Sequence, residues 1–330
     1  SVVIATISTL GIAGVAWQWR QAVEANDKAT GALALADERF HQAKKVVDEY
    51  LTEVAQSDGV LAAAPGTQAL RRTLLEKARA YYEQFLSESG NNPTVRYEAA
   101  QAYARLGQIT LILDPASEDT FRLYGKAIEL FGDLIEDDAD RPEYRMGVAD
   151  ARGALGNAHF AASRFDQAVE SYAAAADVWV ELIAQRDSPQ DVLGLAKATH
   201  NIGHAKSQMG DKQGAEPFLV EAIALAEPLL ESKGEVPEYL FGISNMYSNA
   251  GTFFGFKMGD WKRSLELYET SVTLRERLIQ LAPEHHRNQN ALAGGYNNVG
   301  LALYQAKRID EAKTAFLAAA EIREVLTAEN

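Results

Sequence analysis

His200 and His204 stand four residues apart, a spacing that puts two imidazoles on one helix face and could offer two nitrogen ligands to a metal. No third ligand is evident beside them, and the chain has no cysteine, so the pair reads as part of a polar groove or as packed histidines. His285 and His286 fall in a loop and read as solvated, and His286-Arg287-Asn288 lacks the aspartate that a kinase catalytic loop uses to accept a proton. Asp137, Asp138 and Asp140 read as a solvated helix end, since a catalytic carboxylate pair needs two differently perturbed environments. Phosphate-cradling, zinc-protease and nucleophile-elbow motifs are missing from the sequence. The expectation is a noncatalytic chain with no catalytic, cofactor-binding or metal residues.

The elements that carry these residues are helical. Long Ala, Leu and Glu stretches with few β-branched runs, in 330 residues of 47% hydrophobic content, predict an all-α protein with an extensive core. A net charge of -14 argues against nucleic acid or an anionic lipid surface as the main partner, because both demand a concentrated positive face.

One glycine recurs with a period near 48. Gly107, Gly156, Gly203, Gly251 and Gly300 are 49, 47, 48 and 49 residues apart, each near the end of a first helix. The second helices carry Tyr124 and Ala127; Ala168, Tyr172 and Ala175; Ala215 and Ala222; Tyr268; and Ala312, Phe316 and Ala319. Small residues let paired helices approach closely, with Tyr304 and Phe316 filling the remaining space in the last unit. This pattern resembles a tetratricopeptide repeat, with units longer than the usual length of about 34 residues. Pro142, Pro189, Pro237 and Pro283 are read as marking the loops where one unit stops. Two departures weaken the register: TLILDPAS follows Gly107, and Ser264 follows Gly251 by thirteen residues. The domain reading is residues 1–20 as a membrane helix, 21–92 as stalk or capping helices and 93–330 as five repeats.

In stacked helix pairs the first helices line a concave groove. The predicted groove residues are Asn157 and Phe160; Lys197, His200, Asn201 and His204; Asn245, Ser248 and Thr252; and Asn297 and Tyr304. Amides, hydroxyls and aromatics of this kind suit an extended peptide or a protein segment. Asn201, Asn249 and Asn298 could instead satisfy helix ends or neighbouring loops. Phe253, Phe254, Phe256 and Trp261 read as core around a longer turn.

Val2 to Trp17 carries no charge and runs into Trp17, Trp19 and Arg20, which predicts a single membrane span whose start is clipped and a chain that continues upstream. Ala29, Leu33, Ala36, Phe40, Ala43, Val47, Tyr50 and Val54 form a heptad-like seam that either zips a homodimer or packs on the next helix of the same chain. WQWRQA, VDEYLTEVAQS, LRRTLLEKARAYYEQFL and AAQAYARLGQI together resemble the C-terminal half of membrane-anchored bacterial serine/threonine protein kinases of the planctomycete type. That resemblance implies a noncatalytic sensor or interaction region in the bacterial cytoplasmic membrane, with the repeats extracytoplasmic and the kinase domain preceding the span. A free-standing anchored scaffold is the alternative.

Overall fold

The computed structural model describes residues 93–328 except Ala116 and Glu284, together with Thr73, Lys77 and Ala80. The expected membrane helix and the 29–54 seam lie outside the described residues. The described chain runs as Pro93–Leu113 (α1), Glu118–Asp137 (α2), Pro142–Ala161 (α3), Phe165–Gln185 (α4), Pro189–Gln208 (α5), Lys212–Lys233 (α6), Pro237–Thr252 (α7), a π-helical turn Phe253–Met258, Trp261–Leu281 (α8), His286–Gln305 (α9) and Ile309–Ala328 (α10). Helices pair as α1/α2, α3/α4, α5/α6, α7/α8 and α9/α10, and each pair packs on the next. No described residue is in a strand. The result is a solenoid of five helix pairs.

The prolines start helices rather than mark loops. Pro142, Pro189 and Pro237 are the first residues of α3, α5 and α7, where the missing N–H removes a donor that had no intrahelical partner anyway. Of the four predicted loop markers, Pro283 alone sits in a loop, ahead of α9. Within each of units two to five, the turn closes on a left-handed residue: Ser163, Gly210, Gly259 and Lys307, with φ of 58°, 83°, 76° and 60°. The N–H of the next residue reaches back to a carbonyl in the first helix, as in Arg164 to His159 at 2.8 Å and Arg308 to Leu303 at 2.9 Å, or in unit four to Phe254 of the π-helical turn at 2.8 Å. This closes each first helix in a Schellman-type turn. Asp211 and Asp260 then cap α6 and α8 by accepting the Gly214 and Arg263 N–H groups at 2.8 and 3.0 Å.

All five repeat glycines sit at the same crossing. A Cβ would lie 2.9 Å from the Tyr124 ring at Gly107, 2.5 Å from Tyr172 at Gly156, 2.9 Å from Leu219 at Gly203, 2.8 Å from Tyr268 at Gly251 and 2.7 Å from Phe316 at Gly300. Two small residues of each second helix flank that contact: Thr120 and Ala127, Ala168 and Ala175, Ala215 and Ala222, Ser264 and Ser271, Ala312 and Ala319, all buried. Register therefore holds in units one and four as well. In unit four the extra residue is absorbed by the π-helical turn, which accommodates an insertion without rotating the helix beyond it. Ser264 and Ser271 satisfy their buried hydroxyls by donating to the Gly251 and Ser244 carbonyls at 2.7 and 2.8 Å. Phe253 and Phe254 are buried as predicted, whereas Phe256 is exposed with its ring edge-on to Trp261.

A second set of contacts locks one unit to the next. The ring of Phe131 from α2 lies against Gly147 of α3, and Trp179 of α4 lies against Gly194 of α5, each within 2.5 Å of where a Cβ would stand. Asp191, fully buried in the first turn of α5, receives Nε and Nη2 of Arg186, each at 2.6 Å, and so ties the unit two to three junction.

Candidate interaction groove

Successive first helices α1, α3, α5 and α7 pack directly on one another, which makes their outward faces the inner lining of the solenoid. Counting from each repeat glycine, the residues six before, two before and one after form rows along that face: Gln101, Asp150, Lys197, Asn245, Gly294; Arg105, Ala154, Asn201, Asn249, Asn298; and Gln108, Asn157, His204, Thr252, Leu301. A cavity of about 540 Å³ opens between α1 and α3, lined by Gln101, Gln108, Asp150 and Asn157 and backed by Tyr97, Tyr124, Phe131 and Met146.

The predicted groove residues divide. Lys197, Asn157 and Thr252 are exposed, although Lys197 pairs with Glu238 at 3.4 Å, Asn157 accepts the Tyr172 hydroxyl at 2.8 Å, and Thr252 shares a hydrogen bond with the Tyr268 hydroxyl at 2.9 Å. Asn201 and Asn297 are half-buried. Phe160 and His204 are half-buried against each other, with ring centroids 4.8 Å apart. Tyr304 does not fill space in the last crossing, as its spacing suggested. It is 57% exposed, because Phe160 at the same register is covered by His204 of the following unit and Tyr304 has no such neighbour among the described residues.

His200 and Ser248 are corrections. Both are buried, at 5% and 8% exposure, since the next unit's first helix covers them. Asn249 pairs with His200 Nε2 at 3.0 Å, and Asn298 donates to Ser248 Oγ at 3.4 Å. Burial, with a smaller push from His204, takes the His200 pKa down to about 3, so its imidazole is neutral. Asn249 and Asn298 thus bridge neighbouring first helices rather than helix ends or loops. Asn245 is likewise engaged: Arg275, 6% exposed on α8, threads between α7 and α9, donating to Asn245 Oδ1 at 3.0 Å and to the Ala291 carbonyl at 2.8 Å. Among the described residues no group of three or more metal-ligating side chains converges. Nor is any described helix long and apolar enough to cross a membrane.

Sequence reasoning passed over Asp150. It occupies the row of Lys197 and Asn245, so the same count from Gly156 finds it. Solvent reaches its side chain, yet the cavity walls crowd the carboxyl and push its pKa up to about 6, with Lys197 pulling it back and Glu238 and Asp191 adding to the rise.

Residues 195–232 and 292–327 match the tetratricopeptide repeat family. Among curated proteins none matches the sequence. The crystal structure of BtubC from P. vanneervenii is similar in fold, with a TM-score of 0.55 at 15% identity over 78% of this chain and 92% of that one. The apo form of RapI is similar at a TM-score of 0.52 and 13% identity, covering 88% of this chain and 67% of that one. At such identities the likeness is one of fold. The described residues form an all-helical solenoid of tetratricopeptide-type repeats.

Proposed function

We propose that this chain is a noncatalytic interaction region that holds an extended peptide or protein segment along its inner face, as the sensor portion of a membrane-anchored bacterial serine/threonine kinase. The observation that supports the binding role is the set of polar rows on successive first helices, opening into a cavity between α1 and α3. Amide and hydroxyl groups repeating along a groove suit a strand-like ligand, whose backbone offers donors and acceptors at regular intervals. The kinase link rests on the resemblance of the sequence layout from WQWRQA through AAQAYARLGQI. On that reading residues 1–20 anchor the chain in the cytoplasmic membrane, 21–92 form the stalk and the repeats lie outside, where ligand binding changes the association of the anchored chains.

The groove is tested with a randomised library of N-acetylated, C-amidated octapeptides. We expect the intact chain to retain a subset of the library and the double variant Lys197→Ala, Thr252→Ala to bind it at least about fivefold more weakly with an unchanged helical spectrum, since exposed polar changes usually alter stability little. Equal binding by parent and variant rejects this surface. Recovery of the coding sequence upstream of Ser1 tests the kinase link: a kinase domain there supports it, and a short basic leader supports the anchored scaffold instead.

A further inference from the structure

We propose that the cavity between α1 and α3 receives a lysine or arginine side chain of the bound peptide, the aliphatic stem lying along Tyr97, Phe131 and Met146 and the cationic head meeting Asp150. This rests on the peptide-groove reading above and gives it a selectivity. Three observations carry it. The cavity of about 540 Å³ falls within the usual range of ligand clefts, roughly 300–1,000 Å³, and so admits a long side chain. Its wall is aromatic and apolar where a methylene stem would lie, and aromatic faces attract a cation. Its acid is unsatisfied: among the described residues no hydrogen bond or ion pair joins the Asp150 carboxylate.

The charges around Asp150 favour a cation. On its own helix Glu143 also lines the cavity. Across from it on α1, Arg105 turns its Nη1 to Gln108 Oε1 at 3.4 Å. From α5, Lys197 is the cation that acts on Asp150, and its ammonium is engaged by Glu238 of α7 at 3.4 Å, with Asp191 contributing further negative charge. A ligand that closes the cavity strips water from Asp150, which is costly unless a positive group replaces that water. A neutral side chain leaves the carboxylate desolvated and unpaired. An acidic one adds repulsion from both Asp150 and Glu143, so the same geometry selects for a base and against an acid.

The test is a positional-scanning version of the octapeptide library, in which each pool fixes one residue type at one position. For the intact chain, pools with Arg or Lys at one position are expected to bind at least about tenfold more tightly than the matching Glu pools, as a partly desolvated charge pair would give. In Asp150→Asn, which keeps the size and polarity of an accessible side chain, that preference should fall below about threefold while the unbiased library is still retained. A basic preference that survives in Asp150→Asn, or the lack of one in the parent, overturns the cavity assignment and leaves the groove standing. Failure of every pool to bind overturns the groove and the cavity assignment with it.

Discussion

Gly153 and Gly156 lie one turn apart on α3, and the fold treats them in opposite ways. A Cβ at Gly156 would stand 2.5 Å from Tyr172 Cε1 and 2.6 Å from Cδ1, whereas at Gly153 nothing lies within 4 Å. Tyr172 cannot swing away freely, because it is 2% exposed and its hydroxyl is held by Asn157 Oδ1 at 2.8 Å. Both substitutions to alanine gain helix propensity, about 1 kcal/mol. At Gly153 that gain stands alone, so Gly153→Ala should raise the melting midpoint by roughly 2–4 °C, the usual response to about 1 kcal/mol in a domain of 150–250 residues. At Gly156 it is opposed by overpacking that costs about 1–3 kcal/mol for the first added carbon in a tight core. The closeness to ring atoms places this site toward the upper end, for a net loss of about 1–2 kcal/mol and a fall of roughly 2–8 °C. Thermal melts of the intact chain followed by far-ultraviolet circular dichroism measure both. If Gly156→Ala melts at or above the parent, the crossing is looser than the ring contact requires, and the five-glycine account of the repeat fails with it.

Other parts of the fold give three more expected outcomes. Asp191→Asn leaves Arg186 beside a buried neutral amide; because that guanidinium is 32% exposed, the loss should sit at the low end for a broken buried pair, about 3 kcal/mol, and a chemical-denaturation loss below about 1 kcal/mol would contradict the tie. His200 is held neutral with a pKa near 3 against about 6.5 unfolded, so the unfolded chain takes up a proton first and stability from this residue is lost as pH falls below 6.5, by about 2 kcal/mol at pH 5. Over pH 7 to 5, His200→Leu should therefore show a shallower fall in melting midpoint than the parent, and equal slopes would place the imidazole in water. Deleting Phe256 from the π-helical turn should restore twelve-residue spacing and keep a cooperative melt, whereas deleting Asn157 from regular α3 should rotate its last residues by about 100° and lose cooperativity. Equal damage from the two deletions would remove the insertion account of that turn.

The spacing of glycines from Gly107 to Gly300 was enough to locate five helix crossings, because a missing side chain at a close approach leaves a period that composition cannot hide. The turns were less legible. Ser163 and Lys307 hold the same left-handed conformation as Gly210 and Gly259, so the position recurs while the residue type that would signal it does not. The groove was legible only to the face. Residues spaced three or four apart share a side of a helix, and on that ground His200, His204 and Ser248 all pointed inward. What separates His200 from His204 is Asn249, forty-nine residues on, which bonds the first and not the second. Arg275 sits at the register where Phe131 and Trp179 wedge between units, and it reaches Asn245 from a second helix that the face rule assigns to the far side. In a stacked repeat, then, periodicity within a helix chooses which side a residue faces, and the neighbour one unit away decides whether that side is open. Asp150 is left unpaired by this rule because its row neighbour Lys197 turns to Glu238, and the unpaired acid marks the part of the groove where a ligand has most to offer.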